Sequence, residues 1–256
     1  MNFSLLSFGF FGLKVYGMLV AFAFAIASWH YYRVLKKERF PLEMFLKNFW
    51  KWVVGGVVIG RLFAIFLDWS IIERNGVFSI LTFWDGEISF YGAFLGFLGM
   101  MWWNCYRDKQ SFLRWLDIGV PSFFLALLIS DIAGFLTGAQ YGRETIMPWG
   151  IQYETFGVDI LKPTHPVTLY AFALHGVILW WLVQRKVALE RSFGKMTFFA
   201  GMAFFVADFL LQCFRGDSTI VLAHFFRIEQ LFDVLLIGFL LWFFWYLPAS
   251  KKNHAV

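Results

Sequence analysis

Residues 130–150 read SDIAGFLTGAQYGRETIMPWG. The stretch leaves an apolar run and enters a polar, glycine-punctuated loop, yet its second residue, Asp131, is a carboxylate where hydrocarbon is expected. Followed backwards, the run reaches about residue 116 and is long enough for a membrane helix, which takes about 20 mostly apolar residues. Pro121, Asp131 and Gly134 interrupt it. Six further segments of this kind lie at about 12–33, 50–70, 88–106, 166–184, 196–213 and 229–247. The sixth segment in chain order carries a second carboxylate, Asp208, in FFVADFLLQCFRGD (204–217). Hydrophobic residues make up 60% of the 256 and charged ones 15%, with a mean hydropathy of +0.64. That balance lies beyond a soluble domain. The expected fold is an all-α integral membrane protein of about seven transmembrane helices, one polytopic domain over residues 1–256, without internal repeats.

Topology follows from where lysine and arginine fall. Arg33, Lys36, Lys37, Arg39, Lys47 and Lys51 follow the first segment, Arg107, Lys109 and Arg114 the third, Arg185, Lys186, Arg191 and Lys195 the fifth, and Lys251 and Lys252 close the chain. These are 15 of the 22 basic residues. The N-terminus is therefore expected outside and the C-terminus in the cytoplasm, with the long loop between the fourth and fifth helices on the outer side. The basic cluster follows the first apolar run instead of preceding AFAFAIAS (21–28), which fits a retained anchor better than a cleaved signal. The net +5 is orientation charge, and no basic stripe suggests nucleic acid. Cys105 and Cys213 fall near opposite faces and are not expected to bridge. His30, His175 and His224 are isolated in the sequence, and no metal or cofactor site is expected. The 35 Phe and 13 Trp are read as packing and lipid-facing residues.

The loop at about 138–165 mixes apolar residues with Gln140, Tyr141, Arg143, Gln152, Tyr153, Glu154 and His165, and Pro166 suits the first turn of the helix that follows. Around it the successive blocks VYGMLVAFAF (15–24), IGRLFAIF (59–66), FWDGEISFYGAFLG (83–96), AGFLTGAQYGRETIMPWG (133–150), HPVTLYAF (165–172) and FRGDS (214–218) resemble those of the prolipoprotein diacylglyceryl transferases. The resemblance runs in order over nearly the whole chain. It implies seven helices with the N-terminus outside, a bacterial cytoplasmic membrane, and a lipid-accessible cavity. In that family a diacylglyceryl group passes from phosphatidylglycerol to the lipobox cysteine of a lipoprotein precursor. Such a step needs a thiolate nucleophile and fixed cations for the departing phosphate, a task suited to arginine's planar fork.

The chain departs from this pattern at its centre. Asp131 and Gly134 stand where the family's fourth-helix block has Arg and Asn, and Thr137 and Ala139 stand for its Asn and Glu. Asp208 and Gln212 replace an Arg and a Glu in the sixth helix, and Tyr91 replaces the third-helix histidine. Tyr16, Arg61, Asp85, Gly86, Tyr141, Arg143, His165, Tyr170 and Arg215 match the family. The resemblance accordingly implies Tyr16, Tyr91, Arg143 and Arg215 as catalytic candidates, and Arg61, Asp85, Tyr141, His165 and Tyr170 as lipid-binding candidates. A charge in mid-bilayer costs several kcal/mol unless paired, so Arg61 is expected to have a carboxylate partner among Asp68, Asp131 and Asp208. Two readings of the Asp pair stay open: it neutralises Arg61 or another buried cation, or it forms a cavity for a cationic headgroup, an amine or a proton. The expected function is a homologue degenerate at the headgroup-binding arginines that binds a phospholipid, a lipoprotein or a membrane partner. The alternatives are an active transferase and a small transporter or proton-handling protein.

Overall fold

The structure, a computed structural model, describes residues 15–81, 88–155, 158–159, 162–189, 193–216, 221–222 and 226–252. The long helices are α1 (Val15–Lys37), α2 (Leu42–Leu67), α4 (Phe90–Arg107), α5 (Phe112–Thr137), α6 (Val167–Leu189), α7 (Lys195–Gln212) and α8 (Ile228–Lys252). A short α3 (Ser70–Asn75) and a 3-10 turn (Val77–Leu81) follow α2. Two tiny antiparallel hairpins, β1 (Glu154–Thr155) with β2 (Val158–Asp159) and β3 (Val221–Leu222) with β4 (Phe226–Arg227), belong to the connections before α6 and α8. Helices α1, α2, α5, α6, α7 and α8 are long and apolar enough to cross a membrane. The 18 residues of α4 span about 27 Å, and polar Asn104 and Arg107 close this less apolar helix. The protein is an all-α, multi-pass membrane protein.

Two boundaries differ from those expected. Helix α2 begins at Leu42 and carries Asn48 and Lys51 within its first turns, where Lys51 donates to the Asn48 side-chain oxygen at 3.0 Å. Helix α5 begins at Phe112, ahead of the expected 116, runs unbroken through Pro121 to Thr137 as expected, and is capped by Gly138, whose φ of 70° is left-handed. Proline removes one backbone hydrogen bond, and the neighbouring Ser122 side chain instead ties α5 to His30 of α1 at 2.9 Å.

Close packing explains the two principal helix pairs. Helices α2 and α4 meet along glycines: a Cβ on Gly96 would fall against the carbonyl oxygen of Gly55, and one on Gly92 would lie 2.9 Å from that of Ile59. Small residues let backbones approach where lipid supplies no hydrophobic drive between helices. Helices α1 and α5 are joined at one end by Tyr31, which donates to the Trp115 carbonyl at 2.9 Å. Beside it Trp52 and Trp115 pack edge to face, with centroids 6.0 Å apart. The start of α7 is fixed from α5, because the Asp117 carboxylate accepts from the Gly194 N–H at 2.6 Å and the Thr197 N–H at 2.8 Å. A carboxylate at a helix N-terminus suits the orphan donors there. Cys105 and Cys213 are both free.

Candidate functional site

The centre of the bundle collects polar side chains from five helices. On α7, Phe204, Asp208 and Gln212 succeed one another at four-residue spacing and share one face. Gln212 donates its amide to Asp208 Oδ2 at 3.3 Å. Tyr91 of α4 reaches two carboxyl groups, with its hydroxyl 2.9 Å from Asp208 Oδ2 and 3.0 Å from Asp233 Oδ1 of α8. One phenol proton serves one carboxylate at a time. Beside this cluster, His175 of α6 places Nδ1 2.7 Å from Asp131 Oδ2 of α5. The His175 ring stacks on Phe204 with centroids 5.6 Å apart. A carboxylate accepts only, so Asp131 holds the proton of a neutral imidazole on Nδ1 and leaves Nε2 as an acceptor. That Nε2 is buried with no partner among the described residues.

A second tier lies at the loop end. Gly142 N–H donates to the His165 carbonyl at 3.0 Å, His165 N–H to Arg143 at 3.0 Å, Arg143 N–H to Phe214 at 2.8 Å and Gly216 N–H to Tyr141 at 2.9 Å. Three loop segments are thereby laced together, and only glycine fits at the crossing: a Cβ on Gly142 would run into the backbone of His165. The Arg215 carbonyl accepts from Arg143 Nε at 3.3 Å and from the Arg227 guanidinium. Trp149 donates to the Tyr170 hydroxyl at 2.7 Å, which lies 3.2 Å from His165 Nδ1.

The residues expected at the site thus separate by location. Tyr141, Arg143, His165, Tyr170 and Arg215 come together in the outer tier, while Tyr91, Asp131 and Asp208 lie in the inner cluster. Tyr16 stands at the start of α1, whose antiparallel course along α5 carries it towards the Thr137 end. Asp85 and Gly86 fall outside the described residues. Arg61 is 2% exposed, and its Nε and Nη2 donate to the Ser79 carbonyl at 3.1 and 2.6 Å. The guanidinium thus holds the 3-10 turn against α2. The expectation that Asp131 or Asp208 neutralises Arg61 is corrected: those carboxylates are turned to His175, Tyr91 and Gln212. Asp68 accepts from the backbone N–H of Ser70 at 3.1 Å, at the entry to α3.

His175, isolated in the sequence, is a partner of Asp131 44 residues away, and no local spacing signals that. Asp233 is fully buried, and the signal for it was present as a carboxylate inside the apolar run of α8. Arg227 completes the outer tier through a tertiary contact with no motif of its own, and Trp149, part of the 133–150 block, through its bond to Tyr170. Among the described residues no group of three or more His, Cys, Asp or Glu has the arrangement of a metal site.

The family model described as prolipoprotein diacylglyceryl transferase matches residues 4–246. A phosphatidylglycerol–prolipoprotein diacylglyceryl transferase of Pseudomonas fluorescens is 32% identical over 165 residues, covering 62% of this chain and 61% of the relative. The protein of the same name from Aliivibrio fischeri is 26% identical over 258 aligned positions, covering 97% of this chain and 90% of the relative. One from a Wolbachia of Culex pipiens is 28% identical over 211 positions, 78% of this chain and 76% of its own. The match thus runs through both tiers, and the chain belongs to the prolipoprotein diacylglyceryl transferase family.

Proposed function

We propose that this chain is a catalytically degenerate member of its family, which uses the centre of its bundle to bind a lipid, a lipoprotein or a membrane partner. It would do so in the bacterial cytoplasmic membrane, as one domain with its N-terminus and outer tier facing out. The observation that carries the reading is the chemistry at the two positions where the family resemblance expects headgroup-binding arginines. Asp131 and Asp208 stand there, with Asp233 beside them, and each carboxylate already engages a neighbouring side chain. Expulsion of a glycerol phosphate needs cations where charge grows, and removing one such donor from an enzyme typically costs about 10²–10³ in rate. Carboxylates in their place repel the phosphodiester itself.

The test is to incubate the purified protein with phosphatidylglycerol and a lipobox peptide and to seek a diacylglyceryl mass increment on cysteine. No increment is expected while an active homologue in a parallel tube gives one. An increment above the no-enzyme control overturns the reading. The His175–Asp131 pair favours a second reading, an active transferase. An imidazole oriented by a carboxylate, with Nε2 open, has the arrangement of a general base and suits removal of a thiol proton. Arg143 and Arg215 would then receive the phosphate, with Arg61 as the third cation, and His175→Gln would abolish any transfer observed.

A further inference from the structure

Four buried atoms around the inner cluster lack a hydrogen-bond partner among the described residues: His175 Nε2, Gln212 Oε1, Asp233 Oδ2 and Glu229 Oε2. With His175 in the tautomer that Asp131 dictates, all four are acceptors. Gln212, at 2% exposure, and His175, at 4%, are among the most enclosed polar side chains in the bundle. An unmet acceptor in such a place is destabilising and calls for a donor. Gln212 turns its amide nitrogen to Asp208, so its orphaned oxygen lies beside that carboxylate. Asp233 and Glu229 are four residues apart on α8 and present their open oxygens along one face. Asp208 and Glu229 are partly exposed while Asp131 and Asp233 are buried, and Asp208, bonded to both Tyr91 and Gln212, is the point of entry.

A site whose carboxylates and orphaned acceptors come together on α6, α7 and α8, with the nearby Arg227 guanidinium turned to the Arg215 carbonyl of the other tier, selects its ligand by chemistry. A phosphate is excluded twice, by charge and by having nothing to donate. A quaternary ammonium answers the charge alone, since it carries no N–H. A primary ammonium brings one positive charge and three donors. We propose that the inner cluster is a binding site for a primary ammonium group, entered at Asp208 and closed by Tyr91, Gln212 and Asp233, with His175 as a further acceptor. This rests on the reading of the bundle centre as a ligand site in place of the family's phosphatidylglycerol chemistry. The ammonium belongs to an amine-headed lipid or to a free amine, and the chemistry of recognition is the same for both.

The experiment uses the full-length, unaltered protein in detergent and titrates phosphatidylethanolamine, N-acetylated phosphatidylethanolamine, phosphatidylcholine and phosphatidylglycerol of one acyl composition, read by native mass spectrometry. Phosphatidylethanolamine should bind about tenfold or more tightly than its N-acetylated form, because acetylation removes the charge and two donors. It should exceed the other two similarly. Asp208→Asn should erase the preference and Asp208→Glu retain part of it; if neither variant folds, the lipid series on the unaltered protein decides. Free ethanolamine that displaces phosphatidylethanolamine assigns the site to the headgroup alone, and failure to displace assigns it to the whole lipid. Equal binding of all four lipids, a preference for phosphatidylglycerol, or no binding of either amine overturns the proposal. Transfer from phosphatidylglycerol to a lipobox peptide overturns the parent reading instead, and the two failures are read in separate tubes.

Discussion

Arg143 and Arg215 are gathered at the loop end of the bundle by backbone, whereas Asp131, Asp208 and Asp233 are held at its centre through side chains. In the outer tier a lattice of amide-to-carbonyl bonds joins residues 141–143, 165 and 214–216, with Gly142 and Gly216 at the crossings. In the inner cluster every link is a tyrosine, histidine, glutamine or carboxyl group. The difference separates two kinds of constraint. A tier held by backbone keeps its shape whatever its side chains do. A cluster held by side chains can change its charge without any change in the helices that carry it. That is how a chain keeps its family's outer architecture while placing carboxylates where the resemblance calls for arginines.

The largest expected effect breaks the outer tier. Gly142→Ala sets a Cβ 2.6 Å from that of His165 and against its backbone, and should cost about 2–3 kcal/mol in thermal unfolding. Gly99→Ala is the control, since a Cβ there meets nothing within 4 Å; equal losses would mean that the lacing does not hold the tier. In the inner cluster, Asp131→Ala and His175→Ala should each cost about 1–3 kcal/mol, because each strands a buried partner. In a double-mutant cycle they should couple by about 1–2 kcal/mol, and strict additivity would remove the dyad. Arg61→Leu frees the Ser79 carbonyl from two donors and should cost about 1–2 kcal/mol. Combined with Asp131→Asn it should be additive within about 0.5 kcal/mol, since the two groups face different partners. Strong coupling would restore the ion pair that the sequence suggested.

The helices were legible because apolar runs of membrane length leave few alternatives. Pro121 does not break the run: its cost is one backbone bond, which a helix inside a bundle carries without breaking. Asp131 and Asp208 announced themselves as charges in hydrocarbon, and the same criterion applied to Asp233. What they bind was not legible. His175 and Asp131 lie on different helices, and their meeting depends on how α5 and α6 are rotated against each other, which a sequence does not state. Arg61 shows the same limit from the other side. Its burial was readable, but its visible partner is a backbone carbonyl in a 3-10 turn, and carbonyls carry no residue label.

The smallest effect sharpens the comparison most. Tyr170→Phe removes the hydroxyl that accepts from Trp149 and faces His165, whereas Tyr91→Phe in the inner cluster removes one donor shared between two carboxyl groups. Trp149 is 55% exposed, however, and its indole N–H can turn to water or lipid headgroups once the tyrosine oxygen is gone. The substitution should therefore cost about 0.5 kcal/mol or less, while Tyr91→Phe, which leaves two carboxyl groups without a common donor, should change stability by about 1–3 kcal/mol. Unfolding of both variants under one condition gives the ratio. If Tyr170→Phe proves the costlier, the outer tier is closed to solvent in the folded protein, and its polar side chains are as constrained as those at the centre.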